Sequence, residues 1–152
     1  AYGGRRDLME RLAPLGPVYQ AGTLAGNPLA VAAGLATITA LRAPGTYERL
    51  EALGAQLEQG LRLAAEKAGI PLTVNRVGSM LTGFFCAPPV IDYASARRAA
   101  TTQYARYFHA MLERGVSLAP SQFEAAFVSL AHSPADIADA GRAAAEALAA
   151  IV

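Results

Sequence analysis

Between Asn27 and Pro44 the sequence writes a helix with almost no polar face, and this stretch constrains the chain more than any other. Asn27 supplies an N-cap acceptor, Pro28 suits the first helical position, and Pro44-Gly45 closes the far end, which predicts a helix over residues 28–42. Leu29, Val31, Leu35, Ile38 and Leu41 fall on nearly every side of it, so burial on most faces is expected. The segment is Ala-rich, holds Thr37 and Thr39, and is well short of the roughly 20 residues that cross a bilayer. Just ahead of it, "YQAGTLAGNPLAVAAG" places Gly22-Thr23, a flexible and hydroxyl-bearing step, at the helix mouth. Unpaired N–H groups and a partial positive charge at such a mouth favour an anion. The alternative is a well-capped core helix at which nothing docks.

The next helix has a different character. Over residues 47–68, Tyr47, Leu50, Leu53, Leu57, Leu61 and Ala64 recur at three- and four-residue steps, with Glu48, Glu51, Glu58, Arg62 and Glu66 between them. One face is therefore wet, and Gly69 followed by Ile70-Pro71 ends the helix. "LTVNRVGSMLTGFF" (residues 72–85) is rich in β-formers and broken by Asn75-Arg76 and Gly78, which predicts two short strands. A helix over residues 96–114 follows, with Ser95 as its cap and Tyr104, Phe108, Met111 and Leu112 as an apolar stripe belonging to the core. "GVSLAP" and "FEAAFVSLAH" read as a second extended pair, and a last helix runs from Pro134 to about Ile151, capped by Ser133 with Asp136 at its positive end. Paired strands between helices predict an α+β layer, helices packed on a small, largely antiparallel sheet. Residues 1–27 fit this poorly and read as connecting structure with a short helical patch near Arg6 to Leu12.

The chain has 152 residues, 53% hydrophobic and 16% charged, enough for one domain with a core and not the composition of a disordered segment. Thirteen basic and twelve acidic residues are spread without blocks, so neither nucleic acid nor an anionic membrane is an expected partner. The single cysteine, Cys86, allows no internal disulfide, and with His109 and His132 it is too thin a set for a structural zinc site. Cys86 is expected to be a small packed residue near a strand end. No apolar run follows the basic residues of "AYGGRRDLME", so a signal peptide is not expected there and a cytoplasmic location is.

Most catalytic signatures fail on inspection. Gly78 and Gly83 have Walker spacing but are followed by Phe84-Phe85 in place of Lys-Ser/Thr. Ser129 and His132 lack any hydrolase motif around them, and His132 is expected to support the turn into the last helix. The only lysine, Lys67, lies in the last turn of the second helix, where it suits the helix dipole as a solvated cation. A Schiff-base lysine would want a desolvated pocket. Glu124, in "PSQFEAAFVSL", is crowded by Phe123, Ala125, Phe127 and Leu130 in a predicted strand, and a carboxylate so placed needs a partner or a job unless its strand edge faces water.

Three strings together carry a resemblance: "PLGPVYQAGTLAGNPLAVAAG", "VGSMLTGFF" and "LAPSQFEAAFVSLAHS". The chain resembles, in register over nearly its whole length, the glutamate-1-semialdehyde 2,1-aminomutase family of class III pyridoxal-phosphate-dependent aminotransferases. Ala25 and Ala126 stand where that family more often has Ser and Gly. The resemblance implies a fold-type I homodimer, with residues 1–27 ending the large domain and carrying the cofactor-phosphate loop, residues 28–45 a connecting buried helix, and residues 46–152 the C-terminal small domain. It implies pyridoxal 5'-phosphate or pyridoxamine 5'-phosphate as cofactor and a small-molecule substrate, glutamate-1-semialdehyde, rearranged to 5-aminolevulinate for tetrapyrrole synthesis. Gly22 and Thr23 would bind the phosphate of the neighbouring subunit's cofactor, and Glu124 would face the substrate. The family's Schiff-base lysine falls upstream of Ala1, so no catalytic residue of this kind is expected in the chain, and the chain alone is expected to be inactive. Another class III aminotransferase, or a non-catalytic dimerisation or packing module, are the other readings.

Overall fold

The computed structural model describes residues 2–152; residue 1, which opens the first predicted segment, lies outside the described residues. The chain divides into two compact units, Ala1–Arg42 and Ala43–Val152.

The first unit contains α1 (Arg6–Met9) and α2 (Pro28–Leu41). Between them the chain closes on itself, Val18 N–H donating to the Arg11 carbonyl and Ala13 N–H to the Val18 carbonyl, both at 2.9 Å. Gly16 is required there, because a Cβ on it would lie 2.3 Å from the Arg11 carbonyl group. Asn27 caps α2 as expected: its Oδ1 accepts from Ala30 N–H at 2.9 Å, and its Nδ2 donates to the Leu24 carbonyl at 2.9 Å. Within this chain the burial expected for α2 is not supplied: none of its residues is buried and Leu29 is 82% exposed. A helix apolar all round needs a second layer, and its own unit offers only the four-residue α1 and turns.

The second unit is built on α3 (Thr46–Ala68), the strands β1 (Thr73–Val77) and β2 (Met80–Phe84), the short α4 (Tyr93–Ala96), α5 (Thr101–Glu113), the two-residue strand β3 (Ala126–Phe127) and α6 (Pro134–Ala150). The sheet is antiparallel throughout, in the order β1-β2-β3, with Val77 opposite Met80 and Met80 opposite Phe127. The α+β layer read from the sequence is what forms. α3 and α6 cross closely, because Gly60 and Gly141 face each other; a Cβ on Gly60 would sit 3.5 Å from the Gly141 Cα. Their buried faces join α5 and Phe85 in a core containing Ala64, Ala65, Met111, Ala144, Ala147 and Leu148. A second cluster, Leu53, Val74, Leu81, Val128 and Ile137, packs α3 and α6 on the sheet.

The hairpin turn, Gly78-Ser79, rests on α3. Gly78 has φ 59°, which favours glycine, and a Cβ on Gly54 would come within 2.4 Å of the Gly78 carbonyl oxygen. Arg76 fastens β1 to α3: Nε donates to Glu58 at 2.7 Å, Nη2 pairs with Glu51 at 2.8 Å, and Nη1 donates to the Gly78 carbonyl at 2.7 Å. The Asn75-Arg76 step is thus inside β1 and not a break between strands.

Two further expectations are corrected. The helix read over residues 96–114 is divided, because the Ala100 N–H donates to the Phe85 carbonyl at 3.0 Å and draws the backbone out of helical geometry before α5 begins. Ser95 accordingly sits inside α4, where it completes a capping box with Asp92. "GVSLAP" forms no strand; the Ala119 carbonyl is taken by the Tyr104 hydroxyl, and β3 is the only part of "FEAAFVSLAH" that pairs in the sheet among the described residues. α6 begins as expected, with Ser133 and Asp136 capping each other.

Candidate functional site

Gly22 and Thr23 lie in the first unit, in a double turn that leads into α2. The Gly22 carbonyl accepts from Ala25 N–H at 3.0 Å, and Asn27 N–H donates to the Leu24 carbonyl at 3.2 Å. Closure is tight enough that a Cβ on Gly22 would meet the Ala25 Cβ at 3.1 Å. Thr23 is exposed. Among the described residues the Thr23 and Leu24 N–H groups donate to no backbone carbonyl. A hydroxyl and free N–H groups one turn before a 14-residue helix form a donor set that suits an anion of phosphate type.

Glu124 lies in the second unit and is not in a strand. It ends the turn Ser121–Glu124, its N–H donating to the Ser121 carbonyl at 3.2 Å, and its side chain is exposed. The open position satisfies its charge with water, so the crowding read from the sequence does not bury it. The turn borders an apolar cavity of about 100 Å³, lined by Leu61, Leu72, Phe85, Tyr107 and Met111 together with Tyr104 and Glu124. Burial first, and the Glu124 charge second, push the Tyr104 phenol above its ordinary range. Thr82 and Tyr104, which donate to the Glu124 and Ala119 carbonyls, and Gln122, which donates from the turn to the Ala99 carbonyl, are not marked by the sequence as site residues. Gln122 is only 2% exposed, a burial that its sequence neighbours Ser121 and Glu124 do not signal.

The remaining candidates take structural roles. Lys67 is exposed in the last turn of α3. His132 Nδ1 accepts from Ser129 N–H at 3.0 Å, so the ring braces the turn before α6, as expected. Cys86 follows β2 and packs beside Phe84, Val90, Ala96 and Ala99. Among the described residues, no group of three or more His, Cys, Asp or Glu is placed to hold a metal ion, and no single helix is long and apolar enough to cross a membrane.

The sequence profile of the family described as Aminotransferase class-III matches residues 1–139. The chain belongs to this class III aminotransferase family. A relative named glutamate-1-semialdehyde 2,1-aminomutase, from Myxococcus xanthus, is 62% identical over 138 residues, covering 91% of this chain and 32% of its own length. Among solved structures, a glutamate-1-semialdehyde-aminomutase from Pseudomonas aeruginosa in complex with PMP superposes with TM-score 0.78 at 28% identity, over 90% of this chain and 31% of that one. An omega-transaminase from Sphaerobacter thermophilus gives TM-score 0.74 at 26% identity, over 96% and 34%. The chain therefore spans about a third of the length of the class III aminotransferase relatives it matches.

Proposed function

We propose that this chain is the C-terminal third of a cytoplasmic, homodimeric aminomutase that uses pyridoxal or pyridoxamine phosphate to convert glutamate-1-semialdehyde into 5-aminolevulinate for tetrapyrrole synthesis. The observation that carries the reading is the 62% identity to a relative named for that rearrangement. The donor set at Gly22-Thr23 supports it, since a hydroxyl and unpaired N–H groups fit a phosphate presented by a neighbouring subunit. Residues 1–27 would complete the large domain, α2 would connect, and residues 46–152 would form the small domain, whose Glu124 would accept hydrogen bonds from the amino group of the bound substrate. When bound, the cofactor's ring would supply the electron sink at the carbon that exchanges the amine. Lys67, exposed on α3, lacks the desolvated pocket that a covalent anchor for the cofactor needs, so the 152-residue chain by itself is expected to be inactive.

Formation of 5-aminolevulinate by the full-length protein, without an external amino donor, tests the reaction; a strict requirement for a separate donor would favour the second reading, a class III transaminase, which the superposition on the omega-transaminase supports. Thr23→Ala in that protein is expected to speed cofactor loss on dialysis by about tenfold. Unchanged retention would remove the phosphate role, and a borohydride-reducible adduct on Lys67 of the isolated chain, with turnover, would overturn its inactivity.

A further inference from the structure

We propose that Tyr104 is a positioning residue for Glu124, its hydroxyl holding the segment from Ala119 to Glu124 at one height beside a cavity that cannot support it by packing. This rests on the assignment of Glu124 to the substrate side. The cavity of about 100 Å³ removes close-packed neighbours from the inner side of the segment, where polar tethers supplement the outer contact of Phe123 with the Tyr93 ring at 6.3 Å. Three such tethers exist. Thr82 Oγ1 donates to the Glu124 carbonyl at 3.4 Å, and Gln122 Nε2 donates to the Ala99 carbonyl at 3.4 Å, both beyond the usual hydrogen-bond range. Buried Gln122 Oε1 has no partner among the described residues and adds no further hold. Tyr104 Oη donates to the Ala119 carbonyl at 2.5 Å, which makes it the short tether of the three. The ring that carries this hydroxyl is fixed independently of the turn, since Phe85 meets it edge-on at 6.3 Å and Tyr107 lies at 6.5 Å.

Phenylalanine at 104 keeps the ring and deletes only the tether. In the full-length protein, Tyr104→Phe is expected to lower kcat/KM for the semialdehyde between about tenfold and a hundredfold, with cofactor retention and absorbance unchanged. Combined with Glu124→Gln it should add nothing further, because the group being positioned is already gone. Additive losses, or wild-type kinetics in Tyr104→Phe beside an impaired Glu124→Gln, would overturn the proposal and leave the Glu124 assignment standing. Wild-type kinetics in Glu124→Gln would remove both. Amide hydrogen exchange in the full-length protein gives a readout independent of activity: Phe123 and Glu124 should exchange about tenfold faster in Tyr104→Phe while Leu148 keeps its protection. Unchanged exchange at the turn would equally overturn the tether.

Discussion

In the first unit Leu29, Val31, Leu35 and Ile38 are each more than half exposed, whereas in the second Ala144, Ala147 and Leu148 have no exposed surface at all. Both sets sit on helices with well-formed N-caps. The difference is what surrounds them: α6 meets α3 and α5 on its apolar side, while α2 has only short turns in its own unit. Hydrophobic composition states a demand for cover and does not supply it. The first unit instead owes its shape to local polar bonds, chiefly the Asn27 cap and the closed loop at Gly16.

This contrast can be broken by matched substitutions. The largest expected effect is Leu148→Ala, which should cost about 2–5 kcal/mol in urea unfolding because the side chain is wholly enclosed. The same deletion at Leu35 should stay within about 0.5 kcal/mol in the 152-residue chain. A comparable loss at both positions would show that α2 is covered in solution. Next comes Gly54→Ala, where a methyl group gains helix propensity but meets the Gly78 carbonyl oxygen at 2.4 Å; a net loss of about 1–2 kcal/mol is expected in the same measurement.

The smallest effect concerns acid. Hydrogen bonding from Arg76 first, and from Arg62 second, holds the Glu58 carboxyl below its ordinary range; Arg76 does the same to Glu51. Depressed carboxylates stabilise the fold above the unfolded pKa, about 4.3, and that contribution is lost as pH falls through the lower folded values. Urea midpoints should therefore fall between about pH 5 and pH 2, and Arg76→Met should flatten that fall. An unaltered acid limb in the variant would mean that other carboxylates, such as Asp136 held down by Ser133, dominate it.

What the sequence made legible was local. Asn27-Pro28 and Ser133-Pro134 announce helix starts through side-chain caps within three residues, Gly69 announces a left-handed helix end, and Gly78 announces the break between two strands. The misread elements were decided by distant partners. Ala100 leaves the helical path for the Phe85 carbonyl, and the Ala119 carbonyl is claimed by Tyr104, contacts that no periodicity encodes. The same holds for the candidate site: Gly22-Thr23 is visible as a turn at a helix mouth, but its ligand enters only through family resemblance. Glu124 stood out as a charge among apolar residues, yet the turn that exposes it depends on Ser121 and the chain beyond it.

Asn27 uses both ends of one amide, holding the Leu24 carbonyl with its nitrogen and the Ala30 N–H with its oxygen. Loop and helix are consequently welded into a single body ahead of any encounter. An anion arriving from another molecule would find a socket already cast, and little chain entropy would be forfeited on docking at that spot. Assembly would then resemble the joining of finished parts more than the moulding of soft ones.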